Sequence, residues 1–195
     1  ELRSLLPRGV RLTPEDLSSR WYPGAGIYRN VWMELNEPLH LAHWETFITT
    51  PEVSGSTAKV RVRTKVNSHR KSYESIDLIT SIIDHNGNVV ASERSTEHIT
   101  GNSLSTVVHS FKIDHPRLWN IDNPYLYRVF NQIKKGNQVL DENDHLLGIR
   151  KIDFDSKDGF KLNDKKIRLK GVCLHHDLGP LGAAVNKKAK ERQLR

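Results

Sequence analysis

The chain has 195 residues, 36% of them hydrophobic and 27% charged, with a mean hydropathy of −0.58, enough for a modest core in one large domain or in a smaller domain with appendages. Its apolar runs fall well short of the ~20 residues that cross a bilayer as a helix, and the single cysteine, Cys173, excludes an intramolecular disulfide. The 30 basic and 23 acidic residues leave a net charge of +7, yet Lys59, Arg61, Arg63 and Lys65 alternate as a solvated sheet face requires, and no aromatic-interleaved basic motif or helix-turn-helix pattern argues for nucleic acid.

Residues 1–20 carry no regular pattern, because Leu6-Pro7-Arg8-Gly9 and Thr13-Pro14 interrupt it. They suit an extraneous remnant or the last piece of an upstream domain. Arg20-Trp21-Tyr22-Pro23-Gly24-Ala25-Gly26-Ile27-Tyr28-Arg29 reads as a packed corner: Pro and Gly force turns, while two aromatics and Ile27 demand cover. Residues 1–29 are therefore assigned to a remnant or linker. From Val31 the hydrophobic period is two, with a strand expected over Val31 to Leu35. In Ala58 to Val66, small or apolar residues alternate with polar ones, mostly cations, so one face is buried and the other wet. Ile76 to Ile83 predicts a second strand of this kind. Asp84-His85-Asn86-Gly87 supplies a hairpin turn, and Val89-Val90-Ala91 opens the return strand. Further strands are predicted over Ser105 to Ile113, Tyr125 to Ile133 and Val139 to Ile149, with Lys135-Gly136-Asn137 as another turn. About seven short strands with regular turns point to a two-sheet antiparallel sandwich of immunoglobulin type over residues 30–150. Trp32, Trp44 and Trp119 are expected in its core.

After Arg150 the texture changes. Phe160 to Leu169 predicts a hairpin turning at Asn163-Asp164, leading into a strand at Gly171-Val172-Cys173-Leu174. Residues 186–195 lack Gly and Pro and suit a helix start with Asn186 as N-cap. With only Ala189 and Leu194 to bury, that helix is weak alone. Strand, loop and helix form the first unit of an α/β barrel or layered fold.

Candidate chemistry is sparse. Glu37, in Asn36-Glu37-Pro38, mimics the general acid of sugar-cleaving barrels, but no partner carboxylate can be assigned to it, and glycoside hydrolysis ordinarily uses two. His175-His176-Asp177 follows the expected barrel strand, and barrel sites lie at the C-terminal ends of strands. Strand alternation would turn His175 and Asp177 into one site and His176 away, a pairing suited to hydrogen-bonding sugar hydroxyls. The bland alternative is that Asp177 caps a turn and the histidines are satisfied locally. Two ligands at this spacing are weak evidence for a metal, and no cofactor is assignable. Cys173 is expected to be packing rather than nucleophile, and Gly24-Ala25-Gly26 lacks the setting of a phosphate loop.

Several blocks together resemble glycoside hydrolase family 2, the group of β-galactosidases, β-glucuronidases and β-mannosidases. Arg20 to Trp32 resembles the exit from that family's jelly-roll domain. Pro116-Arg117-Leu118-Trp119 and Asn123-Pro124-Tyr125-Leu126-Tyr127 resemble the late part of its immunoglobulin-like domain. Phe160 to Asn163 with Ile167 to Gly171 resembles the hairpin entering the barrel, and Gly171 to Asp177 with Gly182 the first barrel strand and its loop. Residues 1–18 depart from the family's upstream pattern. The resemblance implies a mainly β chain: an immunoglobulin-like β-sandwich followed by the first strand of a truncated (β/α)8 barrel over 151–195. It implies a retaining hydrolase whose two catalytic glutamates lie in later barrel strands. None would be catalytic here, and His175 and Asp177 would be substrate-binding. His176-Asp177 and the loop to Val185 look closest to β-galactosidase-like members. A carbohydrate substrate and the remaining domains of a parent chain are the implied partners, with no nucleic acid or membrane; a cation in the full enzyme is not assignable to any residue. Compartment stays open, and so does oligomeric state, a homo-oligomer included. The competing reading is a non-catalytic carbohydrate-binding or adhesive sandwich module.

Overall fold

The computed structural model describes residues 31–173 and 186–194. Residues Leu35–Leu169 form one compact unit; residues 31–34, 170–173 and 186–194 lie outside it. The unit is built on seven long strands, β1 (Leu39–Val53), β2 (Thr57–Ser68), β3 (Glu74–Ile83), β4 (Val89–Ile99), β5 (Ser103–Asp114), β6 (Tyr127–Lys135) and β7 (Gln138–Leu147). They form two antiparallel sheets, ordered β1-β2-β5 and β4-β3-β6-β7. This is a mainly β sandwich of immunoglobulin type, as the sequence predicts.

The period-two pattern explains the pairing. Along β2, Ala58, Val60, Val62, Thr64, Val66 and Ser68 are buried, while Lys59, Arg61 and Arg63 face solvent. Slipping the register by one residue would invert that set, so burial fixes β2 against β1 and β5. Two apolar clusters fill the space between the sheets. One gathers Val60, Val62, Ile82, Phe111, Val129 and Leu147; the other gathers Leu39, Val66, Leu78, Ile99, Val107 and Ile133. Thr64, Thr80, His109 and Asn131 are buried as well.

The turns follow their chemistry. Asp84 Oδ1 accepts hydrogen bonds from the backbone N–H groups of Asn86 and Asn88, both at 2.8 Å, and Gly87 takes φ +88°. Gly136 takes φ +59° between β6 and β7. At one end of the sandwich Glu74, only 7% exposed, receives Arg70 Nη1 at 2.9 Å and Lys135 Nζ at 3.0 Å. The Lys135 hydrogen bond, and then Arg70, hold its carboxyl below the ordinary value against the cost of burial.

Several expectations are corrected. Residues 31–37 form no strand; β1 starts at Leu39. Val31, Met33 and Leu35 alternate, but no neighbouring strand pairs with them, and all are exposed. Trp32 and Trp44 are not core: they are 78% and 88% exposed. Trp44 sits in an irregularity of β1, where five residues of β1 advance from Leu41 to Thr46 while β2 retreats from Val66 to Thr64. The bulge puts Trp44 at φ +57° and turns its ring outward, beside His43 at 4.7 Å between centroids. Trp119 is partly buried, as described below.

Three short strands complete the unit: β8 (Ile152–Asp155), β9 (Gly159–Leu162) and β10 (Lys165–Lys166), ordered β10-β9-β8. The hairpin of β9 and β10 is as expected, and β8 is an addition to it. Asn163 and Asp164 both take positive φ, +50° and +65°, which makes the tight two-residue turn that matches strand twist. The strand expected from Gly171 is not formed at Gly171, Val172 or Cys173, since no ladder partner stands beside them among the described residues. Cys173 is exposed rather than packed. Helix α1 (Lys187–Leu194) begins as predicted: Asn186 Oδ1 accepts from the N–H of Lys188 at 3.1 Å and of Ala189 at 3.3 Å. None of its residues is buried.

Candidate functional site

The three short strands β8, β9 and β10 stand at the C-terminal end of the compact unit and are anchored to the sandwich. The pivot is Asn163. Its left-handed backbone frees the side chain to point back: Nδ2 donates to the Trp119 carbonyl at 2.9 Å, and Oδ1 accepts from Lys151 N–H at 3.0 Å. Asn163 N–H in turn donates to the Lys151 carbonyl at 2.9 Å. Lys151 Nζ reaches Asp164 Oδ1, which raises the lysine above its ordinary value. Leu162, 5% exposed, gives the hairpin its buried side chain.

Trp119 holds the sandwich side of this junction. Its N–H donates to the Ile149 carbonyl at 2.8 Å, and Arg150 stacks its guanidinium 5.3 Å from the indole centroid. The indole lies so close to Gly148 that a Cβ there would meet it at 3.0 Å, which accounts for glycine at this position. Nearby, each of two tyrosines buries its ring and uses its hydroxyl on the backbone. Tyr127 Oη accepts from Arg117 N–H at 2.9 Å and Tyr125 Oη from His85 N–H at 3.1 Å. Burial pushes the Tyr127 phenol upward. Arg117 covers the Tyr125 ring at 4.3 Å.

Of the residues singled out by sequence, His175, His176 and Asp177 lie outside the described residues, so their geometry is not part of this account. Glu37 is described. It precedes β1, is exposed, and its Oε2 stands 4.0 Å from Arg70 Nη2. Arg70 also binds Glu74, so two carboxylates do share a neighbour. They make no acid/base pair: Glu74 is buried and held ionised by two cations, whereas a general acid needs a raised pKa. Open hollows on the β2–β5 surface are lined by Lys59, Arg61, Ser110 and Lys112, with Glu52 as the one carboxylate. Among the described residues no group of three or more His, Cys, Asp or Glu is placed to hold a metal ion.

A sandwich whose neighbouring carboxylates, Glu37 and Glu74, make no acid/base pair suits a supporting domain. Comparison with known proteins identifies which. The sequence profile of "Glycosyl hydrolases family 2" matches residues 42–150, from the β1 bulge to the Trp119–Arg150 junction. The chain belongs to glycosyl hydrolase family 2. Within this family it is 37% identical over 180 residues to the β-galactosidase BoGH2A of Bacteroides ovatus, an alignment covering 92% of this chain and 21% of that protein. It is 33% identical over 160 residues to a β-glucuronidase of Formosa agariphila, covering 77% of this chain and 16% of that one. The crystal structure of a family 2 member from Bacteroides cellulosilyticus superposes with a TM-score of 0.84 at 39% identity, covering 92% of this chain and 25% of that chain. The chain thus spans about a quarter or less of the length of these family 2 relatives.

Sequence reasoning found the blocks around Trp119, Tyr125 and Phe160 but missed the junction they build. The left-handed turn at Asn163-Asp164 was visible, but that its amide would reach Trp119, 44 residues away, was not. The signal was indirect: asparagine is the residue that tolerates positive φ and still carries a donor and an acceptor.

Proposed function

We propose that this chain is the immunoglobulin-like domain and barrel entrance of a retaining β-glycosidase acting on β-galactosides. The observation that carries this reading is the 37% identity to a β-galactosidase over 92% of the chain. In this reading residues 1–29 come from an upstream jelly-roll domain, 30–150 are scaffold, and 151–195 open the catalytic barrel. His175 and Asp177 then hydrogen-bond sugar hydroxyls at the cleavage subsite. The parent's two glutamates, placed by later strands, perform the chemistry. One protonates the leaving oxygen, the other forms the covalent glycosyl intermediate, and water releases the sugar. The segment alone is inactive, because positioning groups cannot replace both carboxylates.

A second reading, β-glucuronide hydrolysis, is favoured by the 33% identity to a β-glucuronidase. Galactosides and glucuronides differ at the sugar's C5 substituent and at the C4 hydroxyl, so a parent enzyme carrying this chain separates the two readings. Assayed on chromogenic β-galactoside and β-glucuronide, it is expected to favour the galactoside by a large kcat/KM ratio. The reverse preference supports the second reading, and sugar binding without turnover supports a non-catalytic carbohydrate-binding module.

A further inference from the structure

Midway along the sandwich, every one of the seven long strands turns a polar side chain into the interior. Thr46 on β1 faces Thr64 on β2; Thr80 on β3 faces Asn131 on β6, which faces Asn143 on β7. His109 on β5 lies diagonal to Thr64 and meets Ser95 of β4. One apolar cluster lies on one side of this layer, with Val62, Ile82, Phe111 and Val129; the other lies on the opposite side, with Val66, Leu78, Val107 and Ile133. A polar waist therefore divides the core.

Half of the waist is satisfied from within. Thr80 Oγ1 donates to Asn131 Oδ1 at 2.8 Å, Asn131 Nδ2 donates to Asn143 Oδ1 at 3.1 Å, and Ser95 Oγ pairs with His109 Nε2 at 2.8 Å. The other half is not. Six buried side-chain atoms have no hydrogen-bond partner among the described residues, and three of them belong to this layer: Thr46 Oγ1, Thr64 Oγ1 and His109 Nδ1. Thr64 and His109 are 1% and 2% exposed.

The three atoms belong to neighbouring positions. Thr46 and Thr64 are directly opposed, which brings their Cβ atoms to within about 5 Å, and His109 is the diagonal neighbour on the next strand. These unpaired atoms thus form a string, His109, Thr64, Thr46, across β5, β2 and β1.

The chemistry of the string selects its ligand. Hydroxyls and imidazole nitrogens each donate or accept, and no carboxylate, lysine or arginine is among them. That set fits a neutral molecule able to do both, with two to four polar partners for each molecule. We propose that this side of the waist binds ordered water, bridging from His109 Nδ1 past Thr64 Oγ1 to Thr46 Oγ1.

Thr64→Val and Thr46→Val test this directly, since valine keeps the shape and removes the hydroxyl. If water bridges the string, either change strips it of a partner, and the 195-residue chain loses about 2–6 °C in Tm. If the layer is dry, valine relieves a buried unpaired hydroxyl and Tm rises. Should a variant not fold, the wild-type chain still answers by NMR. Long-lived water cross-peaks are expected at the methyl groups of Thr46 and Thr64. A rise in Tm, or the lack of those cross-peaks, overturns the proposal.

Discussion

Trp44 illustrates how a single residue can mislead and inform at once. A tryptophan in a β-rich sequence argues for core, but the bulge that carries it gives φ +57° and 88% exposure. Trp44→Ala should therefore change the unfolding free energy by less than ~1 kcal/mol, where loss of a core tryptophan costs about 3–5 kcal/mol; urea denaturation distinguishes these. Tyr127 is the opposite case. Tyr127→Phe keeps the buried ring and leaves Arg117 N–H without its acceptor, so a loss of about 1–3 kcal/mol is expected by the same measurement. His109 supplies a pH dependence. Burial lowers its pKa from the ordinary 6.5, opposed by Glu93 and Glu97, so the unfolded chain binds the proton first. Stability is then full above about pH 6.5 and falls as pH drops from there toward the folded pKa. A second loss follows below about pH 4.5 as Glu74, held low in the fold, gives up its ion pairs. Thermal melts across this range should show both, and His109→Gln should remove the first. The polar waist was written in the sequence as interruptions of apolar periodicity at Thr64, Thr80, His109 and Asn131. Reading them as a layer needed the register between strands, which no single strand contains.

At the scale of elements, legibility followed burial. β2, β3, β5 and β6 have one wet and one buried face, and their alternation announced them. β8 did not, because Ile152, Asp153, Phe154 and Asp155 are all exposed and pair only with a neighbouring short strand. The reverse error occurred at Val31 to Leu35, where alternation exists without a partner. The hairpin turn was readable from Asn163-Asp164, and its anchorage gives a further test. Asn163→Gly preserves the positive φ and deletes the side-chain hydrogen bonds to Trp119 and Lys151. The expected loss is about 1–3 kcal/mol in chemical denaturation. Asp164→Asn, which removes only the exposed ion pair with Lys151, should cost no more than about 1 kcal/mol.

For the whole molecule, membership in glycosyl hydrolase family 2 rests on residues that build a fold rather than on residues that react. Local pattern alone reached the sandwich; the combination and order of four blocks, from Arg20 to Gly182, reached the family. Strand alternation paired His175 with Asp177 as candidate sugar contacts, and the resemblance alone gave them a place at the cleavage subsite. Within Leu35–Leu169 two carboxylates, Glu37 and Glu74, share Arg70, which with Lys135 keeps the buried Glu74 charged. That arrangement stabilises one end of the sandwich and offers no proton to a leaving group. The most direct test of this division between scaffold and chemistry is the rate at which the purified chain hydrolyses a chromogenic β-galactoside. The account predicts no rate above buffer at any chain concentration. Turnover that rises in proportion to chain concentration and disappears in Glu37→Gln would contradict it.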